Sequence, residues 1–181
     1  MRQKYFSNRG FTLIELLVVI AIIGVLASTV LASLNTARAK ARDARRLTDV
    51  RQLVLAMQLY FDDNHSFPPT PGGLGGWACL GHGDAGTCWK GAYHGITVLD
   101  NSLSPKYIPT IPDDPLNNTS RYGDAYMYNP AVLSSAGTGP VLHWGVETAS
   151  PVAQNCAGGD MGNWGPGNGI GGNYYCLLPI R

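Results

Sequence analysis

No proline and no cysteine occurs before residue 68 of this 181-residue chain. Charge is scarce as well. Asp, Glu, Lys and Arg make up 14%, against roughly 25% in an ordinary soluble domain. Scarce charge excludes a charged disordered chain and a coiled coil, and an unperiodic glycine distribution excludes collagen. No HExxH, P-loop, GxSxG or CxxC motif is present, which removes the usual signatures of zinc proteases, nucleotide hydrolases, serine hydrolases and zinc knuckles. The histidines (His65, His82, His94, His143) are scattered. The chain is read as a non-enzyme.

What is present is divided sharply. Residues 1–52 carry nine Lys/Arg against Glu15, Asp43 and Asp49, a net +6. Residues 53–181 carry four Lys/Arg against nine acids, a net −5, together with all 12 prolines and all four cysteines.

From Leu16 to Ala37 there are 22 residues without a charge. As a helix they span about 33 Å, enough for a hydrocarbon core of about 30 Å. A cleaved secretory signal is the competing reading. However, its apolar region is usually about 7–15 residues, and no small-x-small site precedes the arginines. Beyond the run, apolar residues recur at Leu34, Ala37, Ala41, Ala44, Leu47, Val50, Val54, Met57 and Phe61. Steps of three and four predict an amphipathic helix, with Arg38, Lys40, Arg42, Arg45, Arg46 and Arg51 on its other faces. Asp62-Asp63-Asn64 and Pro68-Pro69 end it. The expected organisation is a leader at 1–10, a transmembrane segment at 11–34, an amphipathic half at 35–63 and a head at 64–181.

Glu15 is the anomaly. A carboxylate in a spanning segment costs about 2.5–3.5 kcal/mol on insertion scales. Either it reaches water at the membrane edge near Arg9, or it meets a cation supplied later.

Arg9-Gly10-Phe11-Thr12-Leu13-Ile14-Glu15-Leu16 resembles the class III signal of type IV pilins and type II secretion pseudopilins. The resemblance implies cleavage between Gly10 and Phe11 by a prepilin peptidase, N-methylation of Phe11 by the same enzyme, and an assembly role for Glu15. It places the head outside the cytoplasm, anchored in the inner membrane by a single span before assembly. After assembly the subunit is part of an extracellular or periplasmic filament. An inner-membrane assembly platform and other pilin-like subunits are the implied partners. A carboxylate at Glu15 can neutralise the new Phe11 ammonium in a low dielectric. Many members carry a helix-breaking proline in the apolar helix. Here Gly24 is the single weak spot, explained equally by close helix packing. Charge counting leaves topology ambiguous, because both flanks of the span are basic.

The head reads as an α+β arrangement, with a small antiparallel sheet against the helix stripe. Residues 64–105 form a loop-rich connection, a sheet occupies about 106–150, and a loop closes 151–181. Strands are expected at 125–128, 141–148 and 173–178, with 130–140 joining the first two as a hairpin. Glu147 is placed facing solvent, and His143 is assigned to sheet packing. Sixteen of the 23 glycines lie in two windows beside cysteines. Of three connectivities, Cys79–Cys88 and Cys156–Cys176 are favoured in an exported segment. Trp77, Trp89 and Trp164 are either partner anchors or caps on small cores beside the disulfides.

Residues 107–130 resemble the segment before the sheet in the major pseudopilin, some of whose relatives bind calcium nearby. Asp113, Asp114, Asn117 and Asp124 are hard oxygen donors suited to Ca²⁺. The basic face at 38–51 suits acidic heads of neighbours, DNA phosphates or lipid headgroups. The leading expectation is a subunit of a type IV pilus-like filament. A type II secretion pseudopilin is the alternative within the family. A membrane-anchored binding protein that never polymerises is the rival outside it.

Overall fold

The computed structural model describes residues 10–71, 76–81, 83, 87–89, 91, 93–116, 125–134, 137–147, 160–163 and 174–180. The chain divides into two compact units, Met1–Arg38 and Ala39–Arg181. One helix, α1 (Leu13–Asn64), contributes to both.

In the first unit α1 begins on a reciprocal cap. Thr12 Oγ1 accepts the Glu15 N–H at 3.3 Å, and the Glu15 carboxylate accepts the Thr12 N–H at 2.9 Å. This is a Thr-x-x-Glu capping box, which satisfies donors that a helix start leaves orphaned. From Phe11 to Leu31 every large apolar side chain is at least 45% exposed. A helix apolar on all sides needs lipid or other helices around it. Ser28, Thr29 and Thr36 donate their hydroxyls to carbonyls three or four residues earlier, so their polar groups need no water. A Cβ built on Gly24 meets nothing within 4 Å, so nothing among the described residues packs close enough there to require glycine.

In the second unit, five strands form one antiparallel sheet in the order β1-β4-β5-β7-β6. They are β1 (Ala78–Cys79), β4 (Met127–Ser134), β5 (Gly137–Val146), β6 (Asp160–Asn163) and β7 (Tyr174–Pro179). A separate pair joins β2 (Thr87–Cys88) to β3 (Tyr93–His94). Tyr128, Leu142, Trp144 and Val146 lie in the main core with Val50, Leu53 and Met57 of α1. Alternation puts Met127 with a second, smaller core, formed with Cys79, Cys88, Trp89 and Ala125. Trp77 and Tyr93 pack against that core.

The buried residues of α1 are Asp43, Arg46, Asp49, Val50, Leu53, Ala56 and Met57. The expected stripe is therefore corrected. Val50 and Met57 are buried and Leu47 and Val54 are half-buried, but Ala41, Ala44 and Phe61 are exposed. The inward face opens with charged residues, which an apolar-periodicity test passes over. The helix ends where expected. His65 adopts φ 53° and its N–H donates to Phe61 O at 2.7 Å, closing the last turn in the left-handed region.

Two further expectations change. The hairpin expected over 130–140 is present, but the strands reach further into it, since β4 runs to Ser134 and β5 begins at Gly137. Pro130 fits because the ladder shifts register between Asn129 and Val132, with Asn129 Oδ1 accepting the Ala131 N–H at 2.9 Å. Such a bulge admits proline into a strand. The connection 64–105 contains a helix, α2 (Thr97–Leu103), whose Leu99 and Leu103 lie one turn apart in the core. Gly76 has φ +81°, and a Cβ there would stand 2.9 Å from Asn129 Oδ1, so both backbone and space require glycine.

Candidate functional site

The residues of the processing motif lie together at the start of α1. Gly10 is exposed, and a Cβ built there meets nothing within 4 Å. Phe11 is 78% exposed. Glu15 is exposed, flanked on the helix surface by the apolar side chains of Phe11, Ile14, Val18 and Val19. Its carboxylate also accepts the Thr12 hydroxyl at 2.7 Å. Thr12 thus gives Glu15 a local partner. Thr12 is a participant that the charge argument missed, although its spacing to Glu15 is readable as a capping box.

In the second unit a buried ionic cluster fixes the helix to the head. Arg46, 1% exposed, donates from Nε and Nη2 to the two oxygens of Asp114 at 2.7 and 2.9 Å. Its Nη1 donates to Asp43 Oδ1 and to Glu147 Oε1, both at 2.8 Å. Arg42 forms a fork with Glu147, with Nε to Oε1 at 2.7 Å. Asp43 also accepts the Glu147 N–H at 3.0 Å, and Asp49 accepts the Tyr126 hydroxyl at 2.7 Å. Burial pushes the Arg46 pKa down, but the bonds to Asp114 and Glu147 overcome it and hold the guanidinium charged. For Glu147, burial pushes the carboxyl up and Arg42 and Arg46 more than reverse that, leaving it below its ordinary range. Burial, then Asp49, raises the Tyr126 phenol and keeps it a neutral donor.

This corrects two expectations. Glu147 does not face solvent, because it bridges two arginines of α1. Arg42 and Arg46 pair with their own head rather than waiting for a neighbour's. The i,i+3 pair Asp43–Arg46 was visible in sequence, but partners 68 and 101 residues away were not.

Among the calcium candidates, Asp114 is committed to Arg46 and also accepts the Leu116 N–H at 2.9 Å. Asp113 is exposed, and Asn117 and Asp124 lie outside the described residues. Cys79 and Cys88 are joined by a disulfide. Cys176 is disulfide-bonded, while Cys156 lies outside the described residues, as does Trp164. Trp89 is 2% exposed in the small core beside the disulfide, which makes it a cap rather than an exposed anchor. His143 is buried between the rings of Trp77 and Trp89, with centroids at 5.5 and 4.5 Å. Burial pushes its pKa down to about 3.

A processing motif on an apolar anchor helix, followed by an α+β head packed on that helix's second half, defines a pilin-like structural subunit. A family model for the prokaryotic N-terminal methylation motif matches residues 6–31. The type II secretion system core protein G of Escherichia coli is 31% identical over 159 residues, covering 88% of this chain and 92% of that protein. The Vibrio cholerae core protein G is 27% identical over 168 residues, covering 90% and 95%. The type IV major pilin PilA of Myxococcus xanthus is 35% identical over 69 residues, covering 37% and 31%. No solved structure matches the chain. The chain belongs to the family of type II secretion pseudopilins and type IV pilins.

Proposed function

We propose that this chain is a precursor cut between Gly10 and Phe11, N-methylated at Phe11, and polymerised as a pseudopilin of a type II secretion system. The observation that carries the secretion reading is the extent of likeness. Similarity to the Escherichia coli core protein G runs through 92% of its length, head included, whereas similarity to the Myxococcus xanthus pilin covers 31% of that protein. A prepilin peptidase and an inner-membrane assembly platform are the partners this role requires. The head lies outside the cytoplasm, and the chain performs no catalysis of its own.

Glu15 acts at assembly. Cleavage removes residues 1–10 and leaves an ammonium on Phe11, next to Thr12, which caps Glu15 in the uncut chain. The carboxylate then neutralises an ammonium in its own chain or a neighbour's. Calcium at Asp113, Asn117 and Asp124 is a separate proposal, and it excludes Asp114, whose oxygens serve Arg46. A melting temperature indifferent to millimolar calcium and to chelator dismisses it.

The decisive experiment pairs a gene deletion with microscopy and mass analysis. The mature chain should begin with methylated Phe11, deletion should block export of secreted enzymes, and long surface fibres should be absent at native expression. Abundant long fibres with normal secretion would assign the chain to a type IV pilus instead.

A further inference from the structure

Six basic residues lie between 38 and 51, and the structure sorts them. Arg42 and Arg46 are consumed by Asp43, Asp114 and Glu147. Arg45 stands 3.7 Å from Asp49. Arg38, Lys40 and Arg51 are exposed, and no ion pair engages them among the described residues.

Their distance from the span separates these three. The uncharged run ends at Ala37. With a rise of 1.5 Å per residue, Arg38 and Lys40 fall within about 5 Å of its end, and Arg51 about 21 Å beyond it. The headgroup layer on each side of the hydrocarbon is roughly 5–8 Å thick. Arg38 and Lys40 therefore sit at phosphate level, and Arg51 stands clear of it. Cations on the translocated flank run against the usual charge bias of membrane proteins. Among the described residues no carboxylate pairs with them, which leaves membrane phosphates as their nearest source of counter-charge.

We propose that Arg38 and Lys40 form a collar that binds the phosphates of anionic phospholipids in the leaflet facing the head. The collar rests on the reading that the uncharged run 16–37, rather than the expected 11–34, is the stretch that crosses the membrane. It holds the unassembled subunit at a fixed depth and selects anionic lipid around it. Arg42 and Arg46 cannot serve, because both are engaged by Glu147 and Arg46 also neutralises the buried Asp43 and Asp114.

The test uses the full chain in bilayers of phosphatidylcholine and phosphatidylglycerol, with spin-labelled versions of each lipid reporting the first shell. The native chain should enrich phosphatidylglycerol, and near-molar salt should erase that enrichment. In Arg38→Ala/Lys40→Ala it should fall by up to about fivefold per cation lost. Lys40→Arg should retain it. Arg51→Ala, which removes one cation at another exposed site, should match the native chain. The leader's Arg2, Lys4 and Arg9 are common to every variant and cancel in the comparison. Native selectivity in the double variant, or an equal fall in Arg51→Ala, overturns the collar. Lipid indifference combined with retention of a duplex oligonucleotide by the same two residues also overturns it. A chain that fails to insert overturns the span and the collar together. Lost polymerisation in a chain that still selects phosphatidylglycerol refutes the filament reading alone.

Discussion

Arg46 and Asp114 form a two-pronged ion pair at 2.7 and 2.9 Å across 68 residues of sequence. The guanidinium satisfies both carboxylate oxygens at once, which lysine cannot do. Through this pair and Glu147, a helix turn is joined to the 111–116 segment and to the residue following β5. The cluster takes the place that apolar packing holds further along α1.

Arg46→Ala should therefore lower stability by about 3–5 kcal/mol, because it strands buried Asp114 and Asp43. Arg46→Lys should cost less but still measurably, since one ammonium cannot serve Asp114, Asp43 and Glu147 in the same geometry. Denaturant unfolding of the full chain in detergent, followed by tryptophan fluorescence, measures both. A loss below about 1 kcal/mol for Arg46→Ala would show that the cluster is not stabilising as drawn.

His143 should make the head acid-sensitive well above the carboxylate range. Its folded pKa, about 3, lies below the ordinary 6.5 because the ring is buried. The unfolded chain therefore binds the extra proton first. Stability is complete above about pH 6.5 and falls as pH drops toward 3, by at most about 1.4 kcal/mol per pH unit. His143→Gln should flatten the curve between pH 6.5 and 5, where few carboxylates titrate. An unchanged slope there would contradict the burial argument.

Glu147 acts lower on the pH scale. Its folded pKa is depressed below 4.5 by Arg42 and Arg46, so its contribution is present above that value and disappears as pH falls below it. Glu147→Gln should weaken the head at neutral pH and reduce its further loss on acidification below 4.5. Parallel melting curves for variant and native chain at pH 7 and pH 3.5 test this.

Glu15→Ala should leave the chain inserted and cleaved while abolishing polymerisation. Loss of the capping box costs about 1 kcal/mol at an exposed helix start, too little to unfold a long apolar helix. Mass analysis of the amino terminus and electron microscopy separate the two effects. Filaments of normal number from this variant would remove Glu15 from assembly.

Cys79→Ser/Cys88→Ser should destabilise the head by about 3 kcal/mol through the freed loop. It should also loosen the small core containing Trp89 and Met127, visible as a red shift in tryptophan emission. The main core around Leu53 and Trp144 should survive, so far-ultraviolet dichroism should stay near native.

The long helix was legible because its signals are local. A proline-free stretch, a 3.6-residue recurrence of apolar side chains and the Asp62-Asp63-Asn64 stop are all read within a few turns. The methylation motif at 6–31 was legible for the same reason. The buried face of α1 between 43 and 49 was not. Its residues are Asp43, Arg46 and Asp49, and hydrophobic periodicity assigns such residues to solvent. The β4–β5 hairpin was legible, but its strands run further into 130–140 than expected, because the bulge that admits Pro130 depends on an Asn129 side-chain bond.

The amino-acid sequence by itself determined the uncharged apolar run, its length, the methylation motif at its start and the single acid beside it. Chain composition and i,i+3/i,i+4 spacing act over one or two helical turns, so such features need no distant partner. Tertiary structure alone decided which arginines are spent inside the head and which remain exposed beside the span. Asp114 and Glu147 reach Arg46 only after the sheet has formed, and a low-dielectric interior then makes each unpaired charge costly enough to fix the pairing.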